Sequence, residues 1–308
     1  MRKLFLSSAL SLATLAIAPS VFAGDGPGQD AGNTSNSCST DSGSCTITPT
    51  KFSTKIYKVA LCTSNPMADN ALLDWDSNGC VTVFNNANGQ ETGDIFSATG
   101  VTLNAADITI PAAGTYDYTA ALFDKDFKVG SHHMVYSPAV GGIASPTNNK
   151  RYVSTSNGGA VEGTASEVAM FSGSFTTFMP QIACNGGWSS SAPHATRAST
   201  TSGYADFFTN SETFYGRILK SDFTLPTSGS GNISSDPPSG TCDGAAYLLS
   251  IVQKATEIGA NTNGVHLKVL APEGLIRVNQ GNGNGVATGF TAHGSSMAVK
   301  VVPITAGG

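Results

Sequence analysis

The chain has 308 residues and a formal net charge of −5, and only 12% of its residues are charged, against roughly 25% in ordinary globular proteins. An acidic balance without a run of basic residues argues against nucleic acid as a partner. After the N-terminal region no stretch of about 20 apolar residues occurs, so we expect no membrane span in the mature chain.

The N-terminus has the pattern of a secretory signal peptide. Arg2 and Lys3 form a basic region, residues 4–18 are mostly apolar, and Val21 and Ala23 place small residues at the two positions that signal peptidase reads. We therefore predict that residues 1–23 are a signal peptide. The mature protein is then secreted or held at the cell surface, with the periplasm as the alternative.

The six cysteines are even in number and follow an export signal, which predicts disulfide bonds. The sequence alone leaves the pairing open, and chain order suggests the pairs Cys38–Cys45, Cys62–Cys80 and Cys184–Cys242. The last two would close loops worth roughly 3 and 4 kcal/mol by the chain-entropy relation. No C-x-x-C motif occurs, which disfavours a redox or zinc site.

Residues 24–46 are rich in Gly, Asn, Ser and Asp, and we predict a flexible N-terminal arm there. The residues after the arm alternate between β-rich runs and turn signals. We predict strands over residues 52–62, 81–84, 95–96 and 101–103, with a turn at Asn88-Gly89.

Residues 108–127 read ITIPAAGTYDYTAALFDKDF, and two apolar-alternating runs flank a Pro-Ala-Ala-Gly connection. This pattern predicts a tight antiparallel corner or hairpin. Along the second run one face should carry Tyr116, Tyr118, Ala120 and Leu122. Asp124 and Asp126, at the end of the stretch, are interpreted as the turn out of the sheet.

The second half of the chain repeats the pattern. Residues 137–150 contain two prolines and two adjacent glycines, and we interpret them as a linker between domains over 47–136 and 151–308, or as a long loop within one larger unit. Residues 245–257 fit a helix or a strand. We predict that residues 265–270 and 275–278 pair antiparallel around a type I turn, and that the final strand has Val299 and Val301 on one face.

Strand-and-turn spacing near ten residues predicts an all-β fold, an immunoglobulin-like or jelly-roll-type antiparallel β-sandwich pinned by disulfides. The segment IPAAGTYDY, residues 110–118, resembles the G-T-Y strand start of secreted immunoglobulin-like and transthyretin-like sandwiches. The resemblance covers about twenty residues. It supports the fold and implies no functional residue.

One segment matches the first half of a calcium loop, D-x-D-x-N-G, with Asp74, Asp76 and Asn78 as the oxygen ligands. Asn85 stands at the twelfth position, where an EF-hand has a bidentate glutamate. A plain Asp-Asn-Gly turn is the competing interpretation. Calcium is the one cofactor that the sequence suggests.

Exposed aromatic rings could bind sugars, and Trp188, Tyr204 and Tyr215 are the candidates in the loop-rich middle of the chain. Aromatic residues on strands are more often core. The adjacent pair His132-His133 would point to opposite faces of a strand and would not chelate one metal.

The chain lacks the motifs G-x-S-x-G, H-E-x-x-H, G-x-x-x-x-G-K and G-x-G-x-x-G. We therefore expect a non-enzymatic structural or adhesive cell-surface protein, including a self-assembling surface or filament subunit. The alternative is a secreted carbohydrate- or ligand-binding module. The expected partners are further copies of the chain or extracellular glycans.

Overall fold

The protein is mainly antiparallel β structure, seen in a computed structural model that describes residues 16–17, 44–47, 49–67, 73–76, 79–95, 101–135, 150–175, 197–198, 213–224, 227–228, 242–270, 276–280, 287–292 and 298–305. In chain order the strands are β1 (Ala16–Ile17), β2 (Ser44–Ile47), β3 (Lys51–Cys62), β4 (Cys80–Glu91), β5 (Val101–Thr102), β6 (Gly114–Gly130), β7 (His132–Val135), β8 (Lys150–Ser154), β9 (Ala160–Glu162), β10 (Phe171–Ser174), β11 (Arg197–Ala198), β12 (Thr213–Lys220), β13 (Thr227–Ser228), β14 (Cys242–Asp243), β15 (Ala245–Ile258), β16 (Thr262–Leu270), β17 (Ile276–Gln280), β18 (Ala287–Ala292) and β19 (Ala298–Thr305). Short 3-10 turns occur at Ala105–Asp107 and Ala165–Glu167. None of the helical segments in these ranges has the length and apolar character that crossing a membrane requires.

A seven-stranded sheet organises the fold, in the order β11-β12-β15-β6-β3-β4, with β10 also paired to β6. On one side β6 pairs with β3 over most of its length. On its other side it pairs first with β15 and then with β10. The sheet therefore contains strands that precede residues 137–150 in the sequence and strands that follow them. A long loop within one unit is compatible with this arrangement. Residues 137–149 lie outside the described ranges.

Strand β15 resolves the helix-or-strand ambiguity over residues 245–257 in favour of a strand. Residues 248–252 are all buried, because β15 is paired on both edges and its two faces contact different apolar clusters, Leu248 the larger one and Leu249 and Ile251 the smaller one. A strand covered on both faces needs a continuous apolar run and shows no alternation. Its sequence is therefore compatible with a buried helix as well.

The predicted corner at Pro111–Gly114 is not a hairpin. Strand β6 begins at Gly114, and before it Ile108 makes only an isolated bridge to Phe84 of β4. Thr109 donates its backbone N–H to Val83 O at 2.8 Å. The apolar residues before Pro111 thus cover part of the outer edge of β4 instead of pairing with β6.

The prediction that Asp124 and Asp126 mark the exit from the sheet is also wrong. Strand β6 continues through them to Gly130, because the alternation simply changes from apolar to charged. Of the four residues expected on one face, Tyr118, Ala120 and Leu122 contact the same apolar cluster. Tyr116 belongs to the opposite cluster, and beside it the pairing of β15 with β6 shifts register.

The predicted antiparallel return of residues 275–278 onto 265–270 does not form. Strand β16 pairs with β19, and β17 pairs with β18 and β2. The alternation correctly gives the buried face, since Val299 and Val301 are each 1% exposed. It specifies which residues are buried but not which strand lies alongside.

Apolar clusters lie on both faces of the main sheet. The larger one joins residues of the main sheet to residues of the smaller sheets, including Phe52, Ile56, Phe123, Phe127, Val265, Ile276, Phe290 and Val299. The smaller one contains Ala60, Cys62, Met67, Leu73, Ala120, Leu122, Leu219, Leu249 and Ile251. We call the face that carries the smaller cluster the second face.

The predicted Cys62–Cys80 disulfide is confirmed. It joins the last residue of β3 to the first residue of β4, which oppose each other in the ladder. Cys45 and Cys242 lie in β2 and β14, while their predicted partners Cys38 and Cys184 fall outside the described residues. Those two pairings stay predictions.

Candidate functional site

Strand β6 changes character along the second face of the sheet. Tyr118, Ala120 and Leu122 contact the smaller apolar cluster, and the next residues with the same alternation are Asp124, Asp126 and Lys128. The change occurs where the neighbour of β6 changes: Tyr247 of β15 opposes Asp124, and Ser174 of β10 opposes Asp126. The charged residues therefore lie at the junction of three strands.

A surface groove of about 640 Å³ lies at this junction. Its lining contains two lysines, three carboxylates and five hydroxyls. They are Lys55, Lys128, Glu91, Asp124, Asp126, Ser53, Thr54, Ser172, Ser174 and Thr291. Opposite charges are interspersed, so the groove has no strong potential of one sign.

Gly173 of β10 lets this wall of the groove approach the core closely. A Cβ at this position would lie 2.4 Å from the Cβ of Ala292 and 2.7 Å from the ring of Phe127. A side chain would therefore push β10 away from its neighbours. The groove depends on a glycine for its shape.

The Asp124 carboxylate is held in place from two directions. Its Oδ2 accepts a hydrogen bond from the Tyr57 hydroxyl at 3.1 Å, and its Oδ1 accepts one from the backbone N–H of Asp126 at 3.0 Å. Burial of the phenol, together with the neighbouring Asp124 carboxylate, raises the pKa of Tyr57 to about 12. Tyr57 therefore remains a neutral hydrogen-bond donor at any physiological pH.

Asp126 is the more accessible carboxylate. Its side chain is 56% exposed and makes an ion pair with the ammonium of Lys125. An exposed pair of this kind contributes little to stability. Asp126 is therefore available to an external ligand.

A row of three partly exposed aromatic rings extends from Asp124 across the sheet. The rings of Tyr57 and Tyr247 are 5.1 Å apart and meet edge to face, and the rings of Tyr247 and Phe223 stack at 5.7 Å. We call Tyr57, Tyr247 and Phe223 the aromatic row. The Tyr57 hydroxyl bonds to Asp124, so the row adjoins the groove, although its three rings are not among the residues that line the groove.

The backbone of β4 makes room for Tyr57. The predicted turn at Asn88-Gly89 lies inside β4, where residues 86–89 bulge opposite Tyr57 between two paired positions. Gly89 has a φ of +70°, and a Cβ there would lie 2.8 Å from the Tyr57 ring. Glycine is needed for both the conformation and the contact.

Phe223 is held in a strained backbone conformation, with a φ of 63°. Its turn is closed by hydrogen bonds from Phe223 N–H to Lys220 O at 3.0 Å and from Lys220 N–H to Thr224 O at 2.9 Å. The Thr224 hydroxyl and N–H both donate to Asp222 Oδ1 and lower the pKa of that carboxyl. A bulky residue with positive φ is rare, and such strain concentrates at ligand sites.

The apolar half of the second face is covered instead by the segment that the disulfide closes. Met67 and Leu73 from this segment are buried against the cluster. The ammonium of Lys58 lies 4.4 Å from the centroid of the Trp75 ring, and burial lowers the pKa of Lys58.

The predicted calcium ligands lie in this covering segment. Asp74 Oδ1 accepts the backbone N–H of Asp76 at 3.0 Å, an Asx-type turn. Asn78 lies outside the described residues. Among the residues that are described, no three carboxylate, imidazole or thiol groups gather as a metal would need. Calcium binding stays a prediction.

The predicted sugar-binding aromatics are not brought to the groove by any described contact. Trp188 and Tyr204 lie outside the described residues, and Tyr215 is placed by its backbone alone, opposite Ile251 in the pairing of β12 with β15. Sequence reasoning missed Asp124, Tyr57 and Phe223. The alternation that continues through DKDFKV could have indicated Asp124 and Asp126, whereas the aromatic row depends on strand order.

In comparisons with protein-family models, with curated proteins and with solved structures, nothing matches this chain.

Proposed function

We propose that this chain is an exported, non-enzymatic surface protein of the structural or adhesive kind, and that it makes its contacts through the groove. The groove is the observation that carries the adhesive role. A polar depression lined by paired strands, with one of its carboxylates held by the Tyr57 hydroxyl, can present donors and acceptors at little entropic cost.

The export step in this proposal rests on the N-terminal pattern. Cleavage after Ala23 removes β1, so Val101–Thr102 would lose its pairing with Ala16–Ile17. N-terminal sequencing of the mature protein should therefore start at Gly24. A mature chain that still begins at Met1 would contradict cleavage.

The sandwich architecture belongs to the same proposal. Its support is the larger cluster, in which Phe123 and Phe127 of the main sheet share a core with Val265 of β16 and Val299 of β19. Such a face-to-face core is what a sandwich buries. The immunoglobulin-like or jelly-roll topology is the finer part of this inference.

A secreted carbohydrate- or ligand-binding module is the second candidate, and the aromatic row favours it specifically. The two candidates differ in where the protein resides. Immunogold electron microscopy of intact cells should show label on the outer surface for the adhesive role. Protein found only in the culture medium would favour the secreted module. Label confined to the cell interior would contradict both.

The self-assembling form of the structural role has its own test. Analytical ultracentrifugation of the mature protein over a wide concentration range, with and without calcium, should reveal oligomers. A monomer throughout would exclude self-assembly and leave the adhesive role in place.

A further inference from the structure

We propose that the groove and the aromatic row together bind a neutral, hydroxyl-rich glycan, with one sugar ring placed on the aromatic row and the next in the groove. This inference rests on the proposed function, because it names the partner that the adhesive contact would recognise. It assigns the binding to Asp124, Asp126 and Tyr57, which are distinct from Trp188 and Tyr204.

The balance of charges in the groove favours a neutral ligand. Two ammonium groups face three carboxylates in one depression, so neither a polyanion nor a polycation would find complementary charge. A carboxylate only accepts hydrogen bonds, and an ammonium only donates them. A sugar hydroxyl does both, so neighbouring hydroxyls can use Asp126 and Lys128 at the same time.

Asp124 is preorganised as an acceptor. Each of its oxygens already receives one hydrogen bond, from the Tyr57 hydroxyl and from the Asp126 N–H, and these bonds fix the plane of the carboxylate. A carboxylate oxygen can accept a further bond through its second lone pair. A ligand would therefore bind without ordering a mobile side chain, which favours affinity.

The aromatic row supplies the apolar surface that a sugar ring needs. The polar C–H groups on one side of a sugar ring carry partial positive charge, and an aromatic face carries partial negative charge. Tyr247 lies between Tyr57 and Phe223, at ring distances of 5.1 and 5.7 Å. All three rings also pack against the smaller apolar cluster, and this packing holds the Phe223 ring at the outer end of the row.

An extended peptide is the main competing occupant. Peptides usually add to a sheet edge, where unpaired backbone groups are available. The groove is lined by side chains from five strands, β3, β4, β6, β10 and β18. Asp124 and Asp126 have ladder partners in β15 and β10 but none in β3. The free backbone groups of Asp126 are taken internally, since its N–H donates to Asp124 Oδ1 and its C=O accepts from the Thr54 hydroxyl. The lining side chains therefore suit hydroxyl groups better than a peptide backbone.

The test is a glycan array probed with the mature protein, containing neutral, uronic, sulfated and sialylated glycans, with a peptide library as a parallel arm. We expect binding to neutral glycans. The double variant Asp124→Asn/Asp126→Asn should weaken it by about tenfold or more, since hydrogen bonds to charged groups are the strong ones. Asp117→Asn is the matched control, since Asp117 is exposed on the same strand outside the groove. It should leave binding within about twofold.

Three outcomes would overturn the inference: an array without neutral binders, binding only to charged glycans or peptides, and a double variant that binds as wild type. Thermal unfolding of each variant checks that it is folded. Phe223→Ala changes no charge and should also weaken binding. This variant tests the inference independently if the double variant does not fold. The proposed function fails separately, since it fails when immunogold label is absent from the cell surface, whatever the array shows.

Discussion

The two halves of the second face along β6 belong to the same strand and follow the same alternation, yet one half is buried and the other is open to solvent. Up to Leu122 the side chains are apolar and are covered by the segment that Cys62–Cys80 closes. From Asp124 onward they are charged and line an open groove. The comparison shows that a strand can serve as core and as contact surface in turn, because burial is decided by what lies above each residue.

The largest effect on stability should come from truncating one side chain to alanine in each half of the second face. Leu122 is 3% exposed, and Leu122→Ala should lower the free energy of unfolding by about 2–5 kcal/mol through the cavity it leaves. Asp126→Ala should change it by no more than about 0.5 kcal/mol, since an exposed side chain is lost. Urea denaturation measures both. Similar losses at the two positions would contradict the claim that one half is core and the other is surface.

Removing the disulfide should act on the covered half alone. Cys62→Ser/Cys80→Ser releases a loop with a sequence separation of 18, and the chain-entropy relation predicts a loss of about 3 kcal/mol. Glycan binding should persist below the unfolding transition, because none of the described residues of this segment lines the groove. Binding that disappears while the protein is still folded would show that the two halves are coupled.

Phe223 separates backbone strain from ring contact. Phe223→Gly and Phe223→Ala both remove the ring, but glycine adopts a φ of 63° without strain. The glycine variant should therefore be more stable than the alanine variant by about 1 kcal/mol. Thermal unfolding measures the difference. Equal stabilities would mean that the turn relaxes and that Phe223 is not held under strain.

Tyr57 joins the two halves, and the effect expected of it is a change of stability with pH. Its pKa is raised from 10.0 to about 12 in the folded protein, so the folded state favours the protonated phenol. The stabilisation is complete below pH 10 and is lost as pH rises from 10 towards 12. The difference in tyrosinate absorbance between wild type and Tyr57→Phe should show a titration near 12. A midpoint near 10 would contradict the buried contact with Asp124.

Much of the fold could be predicted from local pattern. The strand runs at 52–62 and 81–84, the burial of Val299 and Val301 and the Cys62–Cys80 bridge follow from alternation and from cysteine order. The pairing of the strands could not be predicted in this way, because alternation indicates only which face of a strand is buried. Thus β16 pairs with β19 and not with β17.

The site was harder to predict than the fold because it depends on residues far apart in the sequence. Tyr57, Asp124 and Tyr247 meet only because β3 and β15 both pair with β6. A charged residue after an apolar run is also ambiguous, since the same pattern occurs where a strand ends in a turn and where a strand continues beyond the segment that covers it. Asp124 was interpreted as the start of a turn, but the strand continues through it.

The central claim is that β6 is covered core up to Leu122 and an open contact surface from Asp124 onward. Cysteine accessibility tests it most directly, with maleimide labelling of Leu122→Cys and Lys128→Cys in the folded, disulfide-bonded protein. The thiol at 128 should react like that of a small model compound, and bound glycan should slow it. The thiol at 122 should react at least about a hundredfold more slowly, through local opening. Equal rates at the two positions would contradict the claim.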